Sequence, residues 1–278
     1  MSVISVGEAI VLGIVEGLTE FLPVSSTGHL KITEGLMGIP VNDRAVVGFT
    51  AVIQSGAIAA VLVYFFSDIR RIVTAWGRGI VNKDERYHHD YRFGWWVIYA
   101  TIPVVIVGVA AEGLISGPLA SLWVVAGSLL GGSAVMWLAD RYGRHKRGEG
   151  DTSLRDAMLI GCSQILAMLF PGFSRSGATI STGLLLGLDR VAATRLSFFL
   201  GIPALTGAGI YELPSALGSG AGVLPLIVGT VVSFIVAYAS IAWLLKFVSN
   251  HSFTSFVIYR IVIGLLLFGL LGTGTLNA

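Results

Sequence analysis

The sequence predicts an all-α polytopic membrane protein built from two inverted-topology repeats, each a re-entrant helical hairpin followed by three transmembrane helices. Three observations lead there: a charge-poor composition, six long apolar runs, and two interrupted hydrophobic segments that resemble one another. The 278 residues are 54% hydrophobic and 12% charged, with a mean hydropathy of +0.82. A soluble domain carries a charged fraction of about 25%, so that class is excluded. The apolar runs cover 49–66, 94–111, 119–139, 196–211, 222–245 and 261–276. A spanning helix needs about 20 such residues, with a working range of roughly 17–25. The runs 196–211 and 261–276 fall short alone, but the latter gains an uncharged lead-in over 252–259. Buried helices of a soluble core could explain one run, not six.

Charge placement sets the orientation. Basic residues cluster in two expected loops: Arg70, Arg71, Arg78, Lys83, Arg86 and Arg92 between the first two runs, and Arg141, Arg144, Lys146, Arg147 and Arg155 after the third. Two spans lie between these clusters, so both face one side, which the positive-inside rule makes cytoplasmic. Carrying the count forward puts Arg190, Arg195, Lys246 and Arg260 on that side too. No basic residue precedes Lys31, so a cleavable signal peptide is not expected. The single cysteine, Cys162, excludes an intrachain disulfide. A nucleic-acid partner is not expected; membrane lipids are, and a homodimer is an allowed assembly.

Two further segments are hydrophobic but broken: one by Glu16, Glu20 and Pro23, the other by Gln164, Pro171, Gly172 and Arg175. With a shift of 148 residues, Gly13 meets Gly161, Glu16 meets Gln164, Pro23 meets Pro171 and Ser26 meets Ser174. In this register Thr27 meets Arg175 and Glu20 meets Met168. Each broken segment precedes three spans, and three is odd, so the second half is inverted relative to the first. The expected division is 1–150, with a hairpin over about 8–45, and 151–278, with a hairpin over about 155–190, in one integrated membrane domain. Inverted repeats of this kind bring broken helices together near the bilayer midplane.

The first motif reads EGLTEFLPVSSTGH from Glu16 to His29. Glu16 and Glu20, four apart, share one face of a helix. Two carboxylates so close in apolar surroundings suit a divalent cation, Mg or Ca, or acid–base work with separated roles. Ser25, Ser26 and Thr27 form a hydroxyl run, and His29 lies three residues after Ser26. A serine needs a neighbouring base to act as a nucleophile. The other four histidines fall in or beside hydrophilic loops. The second motif, PGFSRSGAT from Pro171 to Thr179, breaks one helix and can start another near Ser174. The first turn of that helix is an anion site, Arg175 adds a fork matched to phosphate oxygens, and Ser174, Ser176 and Thr179 add hydroxyls. The first half thus brings acids, hydroxyls and an imidazole, while the second brings an anion clamp.

These two motifs closely resemble the signature regions of the bacterial undecaprenyl-diphosphate phosphatases of the bacitracin-resistance type, and the resemblance extends along essentially the whole chain. It implies a catalytic set of Glu16, Glu20, Ser26, His29 and Arg175, with Ser25, Thr27, Ser174, Ser176 and Thr179 as candidate phosphate-binding residues and Glu16 and Glu20 as candidate metal ligands. It also implies hydrolysis of a C55 polyprenyl diphosphate for carrier recycling in cell-wall synthesis, in the bacterial cytoplasmic membrane, with the site opening to the outer face. Family members often carry an acid where this chain has Thr50, so a supporting carboxylate is not expected there. The acid phosphatases with a PSGH motif are superficially similar, but they need a histidine where this chain has Ser181. Two mechanisms stay open, attack by Ser26 with His29 or Glu20 handling the proton, and direct attack by water. An inverted-repeat transporter of lipid or anions is the rival reading, since fold alone does not decide function.

Overall fold

The structure, a computed structural model, describes residues 4–41, 43–115, 119, 121–217 and 222–276. Among the described residues, six helices are long and apolar enough to cross a membrane. A helical pair precedes the first three: α1 (Val6–Thr19) and α2 (Ser26–Leu36), then α3 (Arg44–Tyr64). Next come α4 (Phe66–Val81), α5 (His89–Ala110), the one-turn α6 (Glu112–Ile115) and α7 (Leu122–Tyr142). The second pair is α8 (Leu154–Leu169) and α9 (Arg175–Leu185), followed by α10 (Arg190–Leu217), α11 (Val223–Val248) and α12 (Thr254–Gly272). The candidate spans are α3, α5, α7, α10, α11 and α12. They coincide with the six apolar runs, and α12 takes in most of the expected lead-in.

The hairpins form where the sequence breaks. A capping box, Ser5 with Glu8, starts α1, and another, Ser153 with Asp156, starts α8. Past Pro23 the chain turns at Ser25 (φ 76°), whose hydroxyl accepts from the Gly28 N–H to cap α2. Past Pro171 a single 3-10 turn leads to Ser174 (φ 72°), which caps α9 through the Gly177 N–H. A non-glycine residue at such a φ costs roughly 1–3 kcal/mol, so each cap is held by its surroundings. The caps correct the register read from sequence. Ser25, not Ser26, matches Ser174, and Ser26, not Thr27, matches Arg175. The physical reason is one extra residue between proline and cap in the second half, Gly172-Phe173 against Val24 alone.

Helices from the two halves pack on each other. The α1 helix lies on α11, α8 on α5, α3 on α10 and α7 on α12. Close approach comes from small residues, as in membrane bundles generally. A Cβ on Gly13 would sit 2.6 Å from the Gly229 carbonyl, and one on Gly17 would sit 2.7 Å from that of Ser233. Gly161 is in the same position against Ala100.

At the basic end the connecting segments are tied by charge. Arg190 meets Asp140 at 2.7 Å, and Arg195 meets Asp68 at 3.0 Å and Glu149 at 2.6 Å. The shared end expected for Arg190 and Arg195 is therefore present. Two expectations need correction. The basic stretch after α3 is largely helical, forming α4. Arg260, counted with the cations of the basic side, is instead fully buried within α12, where carbonyl oxygens replace water around its guanidinium.

Candidate active site

Both hairpin breaks converge, and the predicted catalytic residues divide around them. Glu16 on α1 is 1% exposed, and its Oε1 has no partner among the described residues. One turn on, Glu20 ends the helix and binds on both sides. Its Oε1 accepts from Arg175 Nη2 at 2.8 Å, and its Oε2 accepts from the Ser26 hydroxyl at 2.6 Å. Gln54 reaches the same Oε2 at 3.4 Å. Glu20 therefore links the candidate nucleophile to the candidate anion clamp. Arg175 also donates to the Ser197 carbonyl at 3.3 Å, and its Nε is buried without a partner among the described residues. Gly201 on α10 makes room for this guanidinium, since any Cβ there would overlap Nη1.

His29 makes its hydrogen bonds to groups other than Ser26. Its Nδ1 lies 2.7 Å from the Ser25 carbonyl, and its Nε2 lies 2.8 Å from the Tyr259 hydroxyl. The rings of His29 and Tyr259 are stacked at 5.5 Å. A carbonyl only accepts, so the neutral imidazole carries its proton on Nδ1 and accepts from tyrosine at Nε2. Of the two proton handlers considered for Ser26, Glu20 is the one in contact.

The remaining hydroxyls split between bracing and display. Ser25 donates to the Pro171 carbonyl, and Ser176 donates to the Leu22 carbonyl at 2.9 Å. Each motif thus bonds to the chain break of the other half. Ser174 and Ser176 lie 3.1 Å apart at their hydroxyls. Thr179 is fully buried, turned to its own helix and to Ser197 at 2.6 Å. Thr27 is exposed at the start of α2.

Arg260 completes the site's frame. Its guanidinium donates to Pro23 O (2.9 Å), Phe173 O (3.0 Å), Gly172 O (3.2 Å) and the Ser133 hydroxyl (3.2 Å). One cation therefore clasps both breaks. Sequence patterning could not find it or Tyr259, because their partners on the two breaks and on α2 lie 87 to 237 residues away. The sequence hint was an arginine within the last apolar stretch, where an isolated charge is costly.

Among the described residues no group of three His, Cys, Asp or Glu gathers as a metal site. The donor set that exists is Glu16 with its free oxygen and Glu20 beside it. Two carboxylates suit a hard cation that keeps several waters and takes its other ligands from phosphate.

Two buried carboxylates, a serine on one of them and an arginine on the same carboxylate form a polar cluster inside a bundle with six candidate membrane spans, a donor set that suits phosphoryl chemistry. The family comparison agrees: the model described as "Bacitracin resistance protein BacA" matches residues 9–266, and the chain belongs to this family. It is 79% identical over 277 residues to undecaprenyl-diphosphatase 1 of Streptomyces avermitilis, with 100% of both chains covered. The same protein of Streptomyces coelicolor is 77% identical, and that of Frankia alni is 75% identical, again with 100% of each chain covered.

Proposed function

We infer that the chain is an integral membrane undecaprenyl-diphosphatase, which cleaves undecaprenyl diphosphate to undecaprenyl phosphate and inorganic phosphate. Membership of the BacA family and near-full-length identity to diphosphatases support this, and bacitracin resistance is consistent with the same family. The observation that carries the chemistry is the Ser26–Glu20–Arg175 chain of contacts. Arg175 and the first turn of α9 hold the diphosphate, with charge-assisted bonds from a planar fork. Glu20 takes the Ser26 proton as the hydroxyl oxygen attacks the terminal phosphorus. The anhydride bond breaks, the polyprenyl phosphate leaves, and water then hydrolyses the phosphoserine to phosphate. Positioning and charge neutralisation supply most of the rate in such transfers. Glu16 and Glu20 would hold a divalent cation, which supplies neutralisation of phosphate charge when bound. Tyr259 holds His29 by Nε2 beside this step, and Ser25, Thr27, Ser174 and Ser176 lie around the phosphate region; Thr179 braces α9 against α10.

The two hairpins are re-entrant and the halves inverted. Support comes from three spans following each hairpin and from the exchanged packing of α1 on α11 and α8 on α5. The site opens to the outer face of the cytoplasmic membrane, opposite the basic loops. Transport is the second reading, favoured by that same exchanged packing. A pure anion carrier has no use for a serine bonded to a carboxylate beside its arginine, so the enzyme reading is preferred. Purified Ser26→Ala separates the chemical variants. Turnover lost by several orders of magnitude, with substrate binding kept, supports the serine nucleophile; near-normal phosphate release assigns the attack to water.

A further inference from the structure

We propose that α4 and the segment after it form a binding site for the phosphate headgroup of an anionic phospholipid, remote from the site of hydrolysis. The helix connects two spans, α3 and α5, so it lies at a membrane face. It has three sides. Ile72 and Gly79 are buried, with Gly79 against the Tyr91 ring. Phe66, Val73 and Ile80, seven apart and hence on one stripe, are 65%, 58% and 48% exposed. The third side carries Arg70, Thr74 and Arg78 at four-residue spacing. This side lines a cleft of about 740 Å³, which Arg71, His88 and Asp90 also border.

Charge accounting selects the occupant. Asp90 is taken by Arg71 at 3.1 Å, and Glu85, also in the cleft, lies 3.4 Å from His88. Arg71 also meets Asp68 at 3.4 Å. Arg70 and Arg78 make no ion pair or hydrogen bond among the described residues, and both are exposed. Two uncompensated guanidinium groups one stripe away from an exposed apolar row match a ligand with an anionic head and hydrocarbon tails. An amphipathic helix with that division lies in the headgroup layer, and arginine forks suit phosphate. Free phosphate would use the arginines and leave the apolar stripe unmatched.

The test uses the full chain in nanodiscs of phosphatidylcholine with a minor fraction of phosphatidylglycerol, and native mass spectrometry to count retained lipids. Wild type is expected to retain phosphatidylglycerol preferentially. The Arg70→Gln/Arg78→Gln variant should lower that preference about tenfold or more, while Arg92→Gln/Arg155→Gln, with the same charge change elsewhere, should keep it. Detergent diphosphatase activity should be unchanged in both variants. Arg70→Lys/Arg78→Lys covers the case where neutral variants misfold, and it should retain most of the preference. Equal loss in both neutral pairs, no loss in the Arg70/Arg78 pair, or no preference in wild type or in the lysine variant overturns the site. Displacement of the lipid by millimolar inorganic phosphate would overturn its assignment to a lipid.

Discussion

At the scale of single residues, the proposed chemistry depends on one carboxylate held from two sides. Glu20 accepts from Ser26 through one oxygen and from Arg175 through the other, so a substitution at either partner changes how the carboxylate is held. Lysine at position 175 keeps the charge but not the fork. Arg175→Lys is therefore expected to lower kcat/KM by about 10- to 150-fold, the weight of a hydrogen bond to a charged group. An unchanged steady-state constant in detergent would remove the clamp role. Arg260 makes a different prediction, because it touches carbonyls of both breaks and no carboxylate. Arg260→Met leaves those buried oxygens unpaired, which costs at least about 2 kcal/mol. Thermal unfolding in detergent should show a lowered Tm together with lost activity; an unaltered Tm would show that the clasp does not hold the breaks. The motif residues were legible in sequence because hydroxyls, acids and an arginine stand out in apolar runs. Tyr259 and Arg260 were not, since their meaning lies in partners such as His29 and Pro23, contributed by the opposite end of the chain.

At the scale of elements, the hairpins are set by their caps and anchors. Ser25 and Ser174 adopt the same unusual backbone and accept the same local N–H. Proline positions located both turns in the sequence, but the extra residue before Ser174 hid the true register. The anchor of α8 lies at its first turn, on the basic side. Arg147 donates to Asp156 at 2.6 and 3.1 Å and to the Leu186 carbonyl at 2.9 Å, which joins the start of α8 to the end of α9. Burial pushes the Asp156 carboxyl up, but the Arg147 fork and the Ser153 hydroxyl and N–H outweigh it and hold it below the usual range. A carboxyl depressed in the folded state contributes stability above its unfolded pKa, and that contribution is lost as pH falls through the folded value. Stability should thus decline as pH drops below about 4, and Asp156→Asn should be less stable at neutral pH with a flatter profile there. Tm measured against pH checks both, and parallel profiles would contradict the anchor. The amphipathic α4 was harder to read, because its arginines suggested an ordinary loop and hid the Phe66, Val73 and Ile80 stripe.

At the scale of the whole molecule, composition and run lengths were enough to foresee a helical membrane bundle, and the six candidate spans fall where the apolar runs do. What composition could not disclose is how the halves share their packing. The α1 helix rests on a span of the second half and α8 on a span of the first, and the two breaks exchange hydrogen bonds through Ser25 and Ser176. In the proposed repeat Glu16 and Glu20 have Gln164 and Met168 as counterparts in the 148-residue register, so the proposed chemistry is asymmetric within it. Both an enzyme and a carrier could use such a frame, so the deciding experiment must remove transport altogether. Purified chain in detergent micelles, supplied with undecaprenyl diphosphate, is predicted to release one equivalent of inorganic phosphate per lipid. If wild-type protein that binds the lipid released none with a divalent cation present, the site would not be one for hydrolysis.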